Sequence, residues 1–239
     1  MVRIRTVRAH PRRQAVLPRI GRRDADQLRD NAAARQPGPD RAHLLGGRGS
    51  PSEETSDSEP RGVFDTNVFG LLTVTRAVLP VMRAAGHGRI LNLSSTGGVV
   101  AWPGWGVYSA TKFAVEGITE ALRAEVAPLG IQVTAVQPGP FRTDFLASTS
   151  LEIAEQTIDA YAASGGASRT RATDNNKIQE SDPAKAAAAI LTIADVADMP
   201  ARIPLGSSTV ADITAKIKNV TDEVAAWHQL STSTDYSPA

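Results

Sequence analysis

The chain has 239 residues, 41% of them hydrophobic and 21% charged, with a formal net charge of +1 and no cysteine. That length fits one α/β domain with a substantial core, and the missing cysteines exclude disulfides, thiolate metal sites and cysteine nucleophiles. No run approaches ~18 consecutive apolar residues, so no membrane span is expected; the four histidines, His10, His43, His87 and His228, are scattered, which argues against a histidine metal cluster.

The near-zero charge hides an asymmetry. Residues 1–62 carry half of the basic residues, all Arg, and eight of these precede the first acidic residue, Asp24. Such a leader suits a transit peptide or a nucleic-acid arm. Pro11 and Pro18 break any amphipathic helix there and Ser is absent, so no nucleic-acid partner is expected. Residues 1–20 alternate weakly at VRIRTV and predict at most a short edge strand. A dinucleotide-binding fold should open with an apolar run leading into a Gly-rich turn that holds the pyrophosphate, yet the first forty residues contain only Gly21 and Gly38. A helix is expected over 24–35, broken by Gln36-Pro37-Gly38-Pro39, then a short apolar segment at 43–45 and a Gly/Ser/Pro/acid loop.

From Val63 the pattern becomes regular. A long helix is predicted over 63–86, with apolar Phe64, Val68, Leu71, Leu72, Val78, Leu79 and Met82 and a stop at Gly86. A buried strand follows at 89–93, then a helix over 107–127. Its small residues Ala110, Ala114 and Gly117 suit close packing on the sheet or on a partner chain. Residues 131–136 read as the next parallel strand, reached by a right-handed crossover.

The stretch 92–112, NLSSTGGVVAWPGWGVYSATK, carries the chemistry. Tyr108 and Lys112 stand at i and i+4 and share one helix face. A nearby ammonium favours the phenolate and should bring the phenol from its usual pKa of roughly 10 toward the working range. Ser95 lies thirteen positions before Tyr108, at the mouth of the strand, where its hydroxyl can hold a substrate oxygen. Read singly, a Ser pair after a strand also serves as a turn or helix cap.

Three linked motifs, Asn92-Leu93-Ser94-Ser95, Tyr108-Ser109-Ala110-Thr111-Lys112 and Pro138-Gly139-Pro140-Phe141-Arg142-Thr143, stand in order and at matching spacing. With them, the sequence resembles the short-chain dehydrogenase/reductase family. The resemblance implies an α/β, Rossmann-like doubly wound parallel sheet flanked by helices, with the first βα unit missing or degenerate. It implies an NAD(P)-dependent oxidoreductase that interconverts an alcohol and a ketone or aldehyde. Tyr108 would exchange the proton, Lys112 would lower its pKa and bind the nicotinamide ribose, and Ser95 would orient the substrate oxygen. Asn67 would keep a relay water behind the Lys, or is a polar residue tolerated near the helix start. Tyr108, Lys112, Pro138, Gly139 and Thr143 would line the cofactor, Thr143 bonding the carboxamide or else capping a helix, a role for which Asp144 beside it is an equally good candidate. No metal is implied.

Against the family pattern the fingerprint T-G-x-x-x-G-x-G is missing, and Leu44 and Leu45 replace the Asn pair of the N-N-A-G turn before Gly46 and Gly47. Sixty-six residues precede Asn67, where two βαβ-type units and their connections need roughly a hundred. The first part is therefore expected to be truncated, internally deleted or read from a shifted frame. An Arg near Arg22 or Arg23 would pair with a 2′-phosphate and tilt the choice between NADP and NAD toward NADP, or else these residues form a solvated, Arg-rich helix start. Residues 144–181, with a helical stretch at 151–163 and a polar loop through Asn175 and Asn176, match the family's mobile lid. Trp102, Trp105, Phe141 and Phe145 would line an apolar pocket or pack in the core.

Asp182-Pro183 opens another helix, 201–206 reads as the last strand, and 208–229 as an amphipathic helix able to dock on its own body or across a dimer. The expected organisation is an Arg-rich, incomplete cofactor half (1–62), a catalytic core (63–206) and a C-terminal helix and tail (207–239). A small-molecule alcohol or carbonyl substrate, a homodimer or homotetramer and a cytoplasmic setting are expected. The rival reading is a non-catalytic relative that has lost dinucleotide binding.

Overall fold

The computed structural model describes residues 50–147, 150–151, 154 and 156–236. The expected edge strand in 1–20, the helix at 24–35, Arg22, Arg23 and the Gly46-Gly47 turn lie outside the described residues. The described elements are helix α1 (Ser58–Ala85), strand β1 (Gly88–Leu93), helix α2 (Gly106–Val126), strand β2 (Ile131–Pro138), helix α3 (Ala167–Asp174), helix α4 (Pro183–Asp195), strand β3 (Arg202–Leu205), and helices α5 (Ser207–Ala226) and α6 (His228–Thr232). The strands form a parallel sheet in the order β1-β2-β3, with Gly88 opposite Ile131 and Ala135 opposite Arg202. Alternation of helix and strand dictates this arrangement, since parallel neighbours need a crossover.

Helix α1 begins five residues before the predicted start and ends where foreseen, because Gly86 takes the left-handed conformation (φ 70°) that closes a helix. Its middle, Asp65–Gly70, winds as a π-helix, a local widening often found at functional sites. No change of period along the residues announces it. By length and mean hydropathy (1.4) this helix could cross a membrane, contrary to the expectation from the missing apolar run. Yet Asn67 and Thr75 are buried, and Val78, Leu79 and Met82 pack on the core cluster of Ile90, Leu122, Val126, Ile131 and Val133. The helix thus lies against the sheet, burying Val68 as well, and presents Phe69, Val74 and Val81 outward.

Strand β2 is buried along nearly its whole length, as expected of a central parallel strand. Strand β1 is not: Ile90 and Asn92 are buried while Arg89 and Leu93 are exposed, because among the described residues only β2 pairs with it. Helix α2 meets the sheet through Thr111, Val115, Thr119, Leu122 and Val126; Ala110 and Gly117 face outward, so small size did not select the sheet face. Much of that contact is polar. Asn92 donates to Thr119 (2.9 Å), Gln137 to Glu116 (3.0 Å), and Arg123 reaches the carbonyls of Val133 and Met199 (2.5 and 2.7 Å). Buried donors and acceptors so matched fix helix against strand in one register, since any slip would leave them unpaired.

The segment 144–181 differs from its prediction. The described part of 150–158 carries no helix; helical structure comes later, in Asp159–Tyr161, Ala162–Gly166 and α3. It is tied to residues 50–54: Ser50 accepts from the Ala154 amide (2.9 Å), Glu54 from the Ile158 amide (2.9 Å), and Tyr161 donates to Glu53 (2.5 Å). Arg169 of α3 ion-pairs with buried Glu54 and holds its carboxyl below the usual carboxylate range. Helix α3 is polar all round, so its hydropathy could not reveal it. Asp182 caps α4 by accepting from the Ala184 amide (2.8 Å), with Pro183 in the first turn, as the sequence indicated.

Candidate active site

Every predicted site residue except Asn67 and the lid side chains stands at the carboxyl edge of the parallel sheet, where ligands bind in open α/β folds. Ser94 and Ser95 follow β1, Pro138 ends β2, and Tyr108 and Lys112 occupy the first turns of α2. Ser95 is extended and its Oγ accepts from the Gly97 amide (3.0 Å), capping the short turn Thr96–Gly98. The capping reading is thus realised, at the strand end where the site reading also placed this hydroxyl. The Ser95 side chain also approaches the Tyr108 phenol, whose pKa it lowers.

The turn must be glycine. A Cβ on Gly97 would stand 3.0 Å from the Tyr108 ring, and one on Gly98 2.4 Å from Ser94 Oγ. Lys112 is buried and its Nζ donates to the carbonyl of Leu93, the last residue of β1 (3.0 Å), lying 5.7 Å from the centre of the Tyr108 ring. Asn67, in the π-helical turn of α1, donates through Nδ2 to Thr111 Oγ1 (3.1 Å), which in turn donates to the Tyr108 carbonyl (2.7 Å). Asn67 therefore supports the turn of α2 that carries the Tyr-Lys pair.

The electrostatics correct one expectation. Burial raises the Tyr108 phenol to about 12, and the Ser95 hydrogen bond only partly opposes it. Burial likewise lowers Lys112 to about 8. Desolvation disfavours the charged form of each, so the ammonium does not bring the phenol down to the working range in this arrangement. At neutral pH Tyr108 is a protonated phenol and Lys112 is mostly an ammonium.

The other members fall out unequally. Pro138 accepts weakly from Ser95 and Thr96 (3.5 and 3.3 Å). Gly139 is required by packing: a Cβ there would lie 2.0 Å from Thr209 Oγ1. Thr143 is exposed and caps Asp144–Leu146, accepting from the Phe145 amide (3.3 Å), so the capping role belongs to it and not to Asp144. Asp144 instead ion-pairs with Lys177. Phe145 lies against Tyr108 (ring centres 5.6 Å) and stacks on Trp105 (6.3 Å, 17° between planes); Trp105 meets Tyr108 edge-on. Trp102 is exposed, and Phe141 is half-buried, bridging by its backbone to Ser181.

Sequence reasoning missed the buried pair Thr96 and Thr209, whose hydroxyls are 2.9 Å apart and which join the Gly97 turn to the start of α5. A Thr in the first turn of a helix after Gly206 was the only signal. A nicotinamide dinucleotide is the group this family implies, and the donor set fits its nicotinamide end. Among the described residues the Lys112 ammonium has one acceptor, leaving two N–H for ribose hydroxyls, and the exposed Thr143 hydroxyl donates at the limit of hydrogen-bond distance to the Phe141 carbonyl (3.5 Å), a bond that a better acceptor can replace. No Gly-rich phosphate turn stands among the described residues.

A model of the short chain dehydrogenase family matches residues 26–154, a span that contains Asn67, Ser95, Tyr108, Lys112, Pro138, Gly139 and Thr143. A 3-ketodihydrosphingosine reductase of Bacteroides thetaiotaomicron is 46% identical over 119 residues, covering 49% of this chain and 44% of the reductase. The crystal structure of a short-chain dehydrogenase from Streptomyces avermitilis, 39% identical, aligns with a TM-score of 0.73 over 80% of this chain and 69% of that one. A short chain dehydrogenase from Burkholderia cenocepacia in complex with NADP, 23% identical, shares the fold with a TM-score of 0.56 over 75% of this chain and 66% of that one. The chain spans about half the length of the curated relatives it matches.

Proposed function

The chain belongs to the short-chain dehydrogenase family, and on that premise we propose that it is an NAD(P)-dependent oxidoreductase interconverting an alcohol and a ketone or aldehyde. The observation that carries this reading is the approach of the Ser95 side chain to the Tyr108 phenol beside a buried Lys112 at the carboxyl edge of the sheet. A substrate carbonyl oxygen placed between the two hydroxyls accepts a hydrogen bond from Ser95 and the proton from Tyr108. A phenol protonated at neutral pH suits that direction, reduction. Lys112, fixed by the Leu93 carbonyl, holds the ribose hydroxyls, and Thr143 the carboxamide; a bound nicotinamide dinucleotide supplies the hydride. Asn67 uses its amide nitrogen on Thr111, which leaves its carbonyl oxygen to hold the relay water.

Phe145 and Trp105 cover the phenol, so substrate enters by displacing Phe145, whose short turn hangs on the Thr143 cap. Water is excluded when the ring returns. The missing Gly-rich turn favours a second reading, a relative that keeps this architecture without binding dinucleotide. Titration of the purified chain with NADPH and with NADH, followed by nicotinamide fluorescence, separates the two. Saturable enhancement with either supports the oxidoreductase, with NADPH the tighter if Arg22 or Arg23 meets a 2′-phosphate; no response to both at millimolar concentration sinks it.

A further inference from the structure

Helix α5 keeps most of its apolar residues in water, with Ile213 half-buried. Only Thr209, at its root, is buried, while Ile217 and Val224 are 58 and 64% exposed, Val210 and Val220 are exposed as well, and Trp227, which caps the helix end, is 64% exposed. These residues are not scattered. Val210, Ile213, Ile217, Val220, Val224 and Trp227 follow one another by steps of three, four, three, four and three, the spacing that keeps a seam facing a partner helix in a left-handed coiled coil. A helix so patterned cannot bury that seam alone.

We propose that α5 pairs with α5 of a second copy of this chain as an antiparallel two-stranded coiled coil. Antiparallel pairing about a two-fold axis at the level of Lys218 and Asn219 sets Val210 against the partner's Trp227, Ile213 against the partner's Val224 and Ile217 against the partner's Val220, so every seam residue finds an apolar counterpart. The same register brings Lys216, flanking the seam, beside the partner's Glu223, twice by symmetry. Lys216 and Glu223 make no side-chain hydrogen bond or ion pair among the described residues, whereas Lys218 and Asp222 on the outer face pair within the helix (2.5 Å). Parallel pairing would set Lys216 and Glu223 against Thr221 and His228 and leave both charges without an opposite. A self-complementary patch of this kind closes as a dimer. The root of the coil, Thr209, is bonded to Thr96, so the interface begins at the Gly97 turn but takes nothing from the site.

The absence of native cysteine makes cross-linking the test. Ile213→Cys and Val224→Cys variants of the full chain, co-expressed and oxidised, should give a covalent dimer joining the two variants. Either variant alone should give none, because identical positions then lie about 16 Å apart along the coil. Lys216→Glu introduced into both should weaken the cross-linkable association about tenfold, and adding Glu223→Lys should restore it. A covalent dimer from one variant alone means parallel pairing and overturns the proposal. No cross-link in the mixture means that α5 stays on its own chain or binds something else, which also overturns it. Failure of Glu223→Lys to restore association overturns the register. Far-UV circular dichroism confirms that each variant is folded.

Discussion

Helices α2 and α5 are nearly equal in length, 21 and 20 residues, and bury opposite kinds of side chain. Of the buried residues of α2 most are polar or bear a hydroxyl: Tyr108, Ser109, Thr111, Lys112, Glu116 and Thr119. Helix α5 leaves Val and Ile in water and buries a Thr. Apolarity therefore did not sort inside from outside in either helix, although it did so along β2. Burying polar groups without partners is unfavourable by about 1–3 kcal/mol each; on α2, Thr111, Thr119, Glu116 and Lys112 are answered by Asn67, Asn92, Gln137 and the Leu93 carbonyl, while the Ser109 hydroxyl has no partner among the described residues. Where a helix departs from the usual sorting, the departure points to a surface that serves something besides the core: in the two proposals above, proton chemistry on α2 and association on α5.

That contrast can be broken experimentally. The largest effect is expected on the reacting face: Tyr108→Phe should lower turnover by about 10²–10⁴, the range of general acid catalysis, while the circular dichroism spectrum stays unchanged. Retained turnover would show that α2 buries its phenol for packing alone. Next, Thr119→Val keeps the shape but strands the Asn92 amide, and should destabilise the fold by about 1–3 kcal/mol in urea unfolding. A neutral result would mean that the polar seam is incidental.

The pH dependence sharpens the same point with a smaller effect. Lys112 has a folded pKa near 8, below its ordinary 10.5, so the folded state binds fewer protons than the unfolded chain between these values. Stability should rise as pH increases from about 8 toward 10.5. Tyr108 acts oppositely: with its folded pKa near 12, stability should fall from pH 10 to 12. Lys112→Met should flatten the first slope in thermal melts across that range; an unchanged slope would place the titration elsewhere. Smallest of all, Leu230→Ser, on the outer C-terminal helix and off the seam, should shift stability by less than about 0.5 kcal/mol. A larger loss would mean that the exposed helix is packed in solution.

Much of the candidate site was legible because its logic is local. An i, i+4 Tyr-Lys pair shares a helix face whatever surrounds it, and N-x-S-S after an apolar run puts hydroxyls at a strand end. Helix ends at Gly86 and Asp182-Pro183 are likewise written in single residues with strong backbone preferences. The segment 144–181 departs from its expected form because α3 is polar on every side, and its docking rests on an ion pair with Glu54, 115 residues away. The phenol's acidity departs for a related reason: spacing brings an ammonium near, but burial decides which form is favoured.

Residue order alone sets the alternation of helix and strand, the parallel sheet that alternation requires, and the helix face on which Tyr108 and Lys112 meet. Each follows from periods of a few residues and from steric preferences of the backbone. That Asn67 braces Thr111, that Thr209 closes on Thr96, that Phe145 covers the phenol and that the seam of α5 stays in water are settled by the folded chain as a whole. Those outcomes depend on contacts between residues far apart in the chain and on the water each contact removes, and neither quantity is carried by any short stretch of residues.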